Sequence, residues 1–193
     1  MSSFRDFLFD RGRSQRYTLT LAMTGVRMGE RLLVVGDDAP LVARLAAKVG
    51  LTGRCAAVVS SEAAAARVTA AAAEAGVLLE DVRLTSLPAL PADDGSFDAA
   101  VVSAGPAFLT GLDATGRSEL GRSLARVLRP AGRAIVIEGQ PKTVLGPFRG
   151  RPAGLDAFRS AGGATAMLEA AGFHPVRLLA DRGGQRFTEG LRR

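Results

Sequence analysis

From Arg31 onward, short unbroken runs rich in Val, Leu and Ile alternate with longer alanine-rich stretches whose apolar positions recur at helical spacing. Unbroken runs predict strands covered on both faces, and their alternation with helices predicts a mostly parallel sheet. Residues 31–36 form the first predicted strand. Asp38 as N-cap, Pro40 in the first turn and Gly50 as the stop bound a helix over residues 39–49, with Leu41, Val42, Leu45, Ala46 and Val49 on one face. The second strand covers 55–59. Ser61 then opens a helix to residue 75, ended by Gly76. Strands at 82–87 and 97–103 follow, then a helix over 115–128 with Leu120, Leu124, Val127 and Leu128 at helical spacing, stopped by Pro130 and Gly132. A fifth strand covers 132–138. Residues 139–161, rich in Gly, Pro and Arg and without periodicity, predict a loop or an irregular cap. A short helix at 164–171 precedes strands at 175–180 and 186–191, which Asp181-Arg182-Gly183-Gly184 joins as a hairpin.

At 193 residues and 47% hydrophobic, the chain has the apolar content for one domain, with a core over 29–193 preceded by a helical segment over 1–28. No apolar run approaches the ~18 residues of a membrane span. The start, Met1-Ser2-Ser3-Phe4-Arg5-Asp6, lacks the order of a secretion signal, so a cytoplasmic location is expected. Cys55, the single cysteine, lies in an apolar strand and is expected to be a buried, inert thiol. The net charge of +6 raises the question of nucleic acid. The arginines, however, are spread along the chain, and the densest group, Arg5, Arg11, Arg13 and Arg16, precedes the first strand. A nucleic-acid partner is therefore not expected, and no metal site is assigned.

Two stretches carry the most specific signal: Leu87-Pro88-Ala89-Leu90-Pro91-Ala92-Asp93-Asp94-Gly95-Ser96-Phe97-Asp98-Ala99-Ala100-Val101-Val102, and Arg126-Val127-Leu128-Arg129-Pro130-Ala131-Gly132-Arg133-Ala134-Ile135-Val136-Ile137. Together they resemble the second half of a class I S-adenosylmethionine-dependent methyltransferase, of the small-molecule branch that includes quinone-biosynthesis enzymes. The resemblance extends over about residues 29–191. It implies an α/β fold, a Rossmann-like αβα sandwich whose seven-stranded, mostly parallel sheet has the order 3-2-1-4-5-7-6 and an antiparallel last strand. It also implies S-adenosylmethionine as cofactor and a monomer or homodimer. The first half departs from the family's pattern. Val34 stands at the acidic position of the first strand, and only Gly36 remains of the glycine-rich loop, with Asp38 and Pro40 in place of later glycines. The acid that accepts the ribose hydroxyls falls at Val59 or Ser60, and the one that reads adenine near Thr85 or Ser86.

Carried onto this chain, the resemblance implies a cofactor site built from Gly36, Asp37, Asp38, Ser60, Ser61, Glu62, Ser86, Leu87, Ser103 and Ala104, and a substrate side built from Arg16, Tyr17 and Phe108. For Asp37 and Asp38, helix capping and contact with the cofactor's sulfonium and ammonium are both open; Glu62 either favours the helix dipole or reaches back to a ribose. Asp98 is expected to be a structural acid and His174 a structural or surface residue. Methyl transfer from a sulfonium is a direct displacement that asks mainly for alignment and exclusion of water, so no catalytic residue is assigned. The Asn/Asp-Pro-Pro-aromatic motif of base-methylating enzymes is missing after strand four, where the chain reads Ser103-Ala104-Gly105-Pro106. The expected function is methyl transfer to a small molecule. The alternatives are a pseudo-methyltransferase serving as a binding or dimerisation module and an RNA-directed methyltransferase; a nicotinamide oxidoreductase fits poorly without a GxGxxG loop.

Overall fold

The computed structural model describes residues 17–85, 88–103, 109, 111–139 and 154–193. Helix α1 (residues 17–23) leads into β1 (Arg31–Val35), α2 (Ala39–Val49), β2 (Arg54–Val59), α3 (Glu62–Glu74), β3 (Asp81–Leu84) and β4 (Phe97–Val102). Then come α4 (Ala114–Val127), β5 (Leu128–Gly139), α5 (Leu155–Ser160), α6 (Gly163–Ala170), β6 (Phe173–Arg182) and β7 (Gln185–Arg192). The seven strands form one sheet in the order β3-β2-β1-β4-β5-β7-β6. Strands β1 to β5 pair in parallel, and β7 runs antiparallel to both β5 and β6.

Strand periodicity divides the core into two layers. Leu33, Val35, Val58, Ala100, Val102 and Val136 face α4 and α6, while Leu32, Val34, Ala57, Val101 and Ile135 face α2, α3 and Tyr17 of α1. In the central strands β1, β2, β4 and β5 the middle residues are thus apolar on both faces, which is why those runs in the sequence are nearly unbroken. Asp38 caps α2 by accepting from Leu41 N at 3.2 Å, and Gly50 closes that helix with φ 72°. Ser61 caps α3 through Ala64 N at 3.2 Å.

Several boundaries differ from the sequence reading. Strand β3 ends at Leu84; Thr85 N still donates to Val59 O at 3.2 Å, while Thr85 Oγ1 turns to Ala89 O at 2.8 Å. Helix α4 ends at Val127, and β5 begins at once because Leu128 is buried in an extended conformation and pairs with Phe97. The Pro130 and Gly132 turn signals are present as a bulge: pairing jumps from Phe97↔Leu128 to Ala99↔Arg133, with Ala131 at φ 60°. The described end of the 139–161 segment contains α5, whose Leu155 and Phe158 are buried. The hairpin strands are longer than predicted, since only Gly183 and Gly184, both at positive φ, make the turn.

The chain order reverses beside β1, whose neighbours are β2 on one side and β4 on the other. In open α/β sheets ligands bind outside the carboxyl ends of the strands at such a switch point. The tips of β1, β2 and β4 therefore form the candidate ligand site.

Candidate functional site

At these tips the backbone ladder continues one residue past the strands. Gly36 N donates to Val58 O at 2.9 Å and Ser103 N donates to Val35 O at 2.9 Å. Gly36 is buried and adopts φ 141°, a conformation that a side chain would strain. The chain then turns outward and places two carboxylates differently. Asp38 Oδ1 accepts from Leu41 N and from the Tyr17 hydroxyl at 2.9 Å. Tyr17 is itself only 6% exposed, with the Arg44 guanidinium 5.4 Å from its ring centroid. Asp38 is thus both a cap and the anchor of α1 to the loop.

Asp37 turns the other way, towards β2. Its Oδ1 accepts from Ser60 N at 2.9 Å and its Oδ2 from Ser60 Oγ. A carboxylate from the loop after β1 is therefore fixed at the end of β2, next to Ser61 and the exposed Glu62 of the first turn of α3. The structure brings Tyr17, Gly36, Asp37, Asp38 and Ser60 together around the end of β1, with Ser61, Glu62 and Ser103 on the adjoining tips. Arg16, Ser86, Leu87, Ala104 and Phe108 lie outside the described residues.

A buried ion pair at the end of β5 escaped the sequence reading. Glu138, 1% exposed, accepts from Arg159 Nε at 3.0 Å and from Ala164 N at 2.9 Å, joining the strand to α5 and α6. The signal was present: an acid closing the apolar run Ala134-Ile135-Val136-Ile137-Glu138 requires a partner if the strand is buried. The other expected structural residues lie away from the tips. Asp98 sits at the start of β4, where burial opposes its ionisation but the Arg31 N–H and the Arg129 and Arg31 guanidinia outweigh it and lower its pKa to about 2. His174 is exposed at the start of β6. Burial pushes the Cys55 thiol up to about 12, the environment of an inert thiol.

A groove of about 330 Å³ lies at the opposite, amino-terminal end of the strands, floored by Leu33, Ala56, Val58 and Phe97. Its rim arginines Arg31, Arg54 and Arg83 are paired with Asp98, Glu80 and Asp81. None of the expected site residues lines it. Among the described residues no group of His, Cys, Asp and Glu is placed to hold a metal ion, and no helix is long and apolar enough to cross a membrane.

A family profile described as a methyltransferase domain matches residues 36–136, more than half of the chain. The chain belongs to the methyltransferase-domain family. A solved S-adenosylmethionine-dependent methyltransferase from Aquifex aeolicus superposes with a TM-score of 0.68 at 19% identity, covering 90% of this chain and 87% of that one. Another from Mesorhizobium loti gives 0.62 at 17% identity, over 92% of this chain and 97% of that one. The cyclase SpnF gives 0.64 at 20% identity, over 92% and 80%. No curated protein matches the sequence. Likeness at these identities shows the seven-stranded fold, and the family implies S-adenosylmethionine as cofactor. The tips suit that ligand chemically. It carries a sulfonium, an ammonium and ribose hydroxyls, and the tips offer the acceptors Asp37, Asp38 and Ser60 around a buried glycine.

Proposed function

We propose that the chain transfers a methyl group from S-adenosylmethionine to a small-molecule acceptor. The observation that carries this reading is the arrangement at the switch point of a methyltransferase-family sheet: Gly36 without a side chain, followed by two carboxylates, one turned to Ser60 of the β2 tip and one to Tyr17 of α1. The cofactor, when bound, supplies an electrophilic methyl group on a sulfonium. The chain's own part is to bind, align and exclude water. Gly36 lets backbone approach the ligand, and Ser60, Ser61 and Glu62 bound its nucleoside side together with Asp37. Ser103 keeps the β4 tip low, with Ala104, Ser86 and Leu87 completing the cofactor side in this reading. In this reading Arg16, Tyr17 and Phe108 belong to the acceptor side, with residues 1–28 as the segment that covers the pocket. Tyr17 contributes by holding Asp38, to which it already donates its one proton.

A nucleic-acid acceptor is disfavoured because many described arginines are bound to acids rather than gathered on one surface. Examples are Arg126 to Asp94, Arg133 to Glu30, Arg177 to Glu189 and Arg186 to Asp181. A cytoplasmic monomer or homodimer completes the reading. The competing reading, a pseudo-methyltransferase that binds without transfer, draws on the loss of an acid at Val34 and Val59. Incubating the full chain with methyl-tritiated S-adenosylmethionine and, separately, small-molecule and RNA fractions of a cell extract separates the two. Label in the small-molecule fraction is the expected result; cofactor binding with label in neither fraction supports the pseudoenzyme, and label in RNA alone contradicts the proposed acceptor.

A further inference from the structure

We infer that Asp37, braced on Ser60, is the group that recognises the ribose hydroxyls of a nucleoside ligand, so that the ribose acceptor of this sheet comes from the loop after β1. This rests on the cofactor reading above. Doubly wound sheets place a ribose-binding acid at the end of the second strand. Here β2 ends in Val59 and Ser60, neither of which is acidic. The position is nevertheless occupied by a carboxylate, because Asp37 reaches across from the end of β1 and is held there through both oxygens by Ser60 N and Ser60 Oγ.

The chemistry of the pair defines what it takes. A carboxylate has about four acceptor sites, and Ser60 fills two of them. The Ser60 hydroxyl gives its proton to Asp37 and retains its lone pairs. Outwardly the pair is therefore all acceptor, and it carries a negative charge reinforced by Glu62 two residues beyond Ser60. Its complement is a ligand presenting hydroxyl donors with no anionic group, such as a ribose diol; a 2′-phosphate is repelled. Asp38 does not compete for this role, because its Oδ1 is already committed to the α2 cap and to Tyr17. Asp37 is half-buried, and its two bonds to Ser60 hold its carboxylate at the end of β2 rather than on α1.

The test is calorimetric binding of S-adenosylhomocysteine and its 2′-deoxy analogue to the full chain, to Asp37→Asn and to Ser60→Ala. Asp37→Asn preserves size and an oxygen acceptor for Ser60, and thermal melting reports that the sheet is intact. The unmodified chain is expected to prefer the ribonucleoside by about tenfold or more, the range of a charge-assisted hydrogen bond. That preference is expected to fall to near unity in Asp37→Asn and to shrink in Ser60→Ala, which still reports if the first variant does not fold. A preference retained in both variants overturns this inference and leaves the cofactor reading standing. Failure of the unmodified chain to bind either ligand overturns both.

Discussion

Replacing Asp98 by Asn tests whether the amino ends of three strands are tied by one charge. Asp98 Oδ2 accepts from Arg31 N at 2.7 Å, and its carboxylate also meets the guanidinia of Arg31 and Arg129, joining β1, β4 and β5. The fall of its pKa from 3.8 to about 2, at ~1.4 kcal/mol per unit, sets an upper bound near 2.5 kcal/mol on what the charge contributes. The Arg31 and Arg129 side chains are 44% and 47% exposed, and screening by water brings the expected loss in Asp98→Asn to about 1 to 2 kcal/mol at pH 7. Because the folded pKa lies below the unfolded one, this stability is complete above about pH 5 and is lost as the pH falls towards 2; roughly half remains at pH 3. Urea unfolding of both proteins at pH 7 and pH 3 measures it. Equal destabilisation at both pH values, or an Asp98→Asn protein as stable as the parent at pH 7, refutes the charge as the source.

Glu138→Gln leaves the Arg159 guanidinium, 15% exposed, beside a neutral group, so a loss of about 3 kcal/mol and ~6–12 °C in melting temperature is expected. Glu138→Leu with Arg159→Met should restore most of it, and an unchanged melting temperature in Glu138→Gln contradicts the buried pair. Tyr17→Phe keeps the ring but removes the donor to Asp38 and should cost about 1 kcal/mol, with a coupling of similar size to Asp38→Ala in a double-mutant cycle; zero coupling contradicts the anchoring of α1.

The elements of the sheet were legible because they are written in local signals, whereas the order of its strands came from the family resemblance. Asp38, Pro40, Gly50 and Ser61 act within one turn of where they stand, and the unbroken runs at 31–35 and 97–102 require cover on both faces. Boundaries failed where tertiary pairing overrode a local signal, as at Leu128, which leaves the helix because Phe97 offers a ladder partner. At the site, Asp37 and Ser60 were each legible as candidates, but their union was not. They stand 23 residues apart and meet only because β1 and β2 are in parallel register, with Val35 opposite Val58. Glu138 and Arg159 were missed for the same reason: no periodic pattern joins the end of a strand to a helix 21 residues later.

In the proposed reading, the tips of β1 and β2 still bind the family's cofactor although the usual glycines and acids are replaced. Isothermal titration of the full chain with S-adenosylhomocysteine tests it most directly, since it asks for binding without requiring the acceptor. Saturable binding at one site is expected, lost in Gly36→Val and kept in Asp98→Asn. No heat of binding at millimolar ligand, with the sheet shown folded by its melting transition, contradicts it.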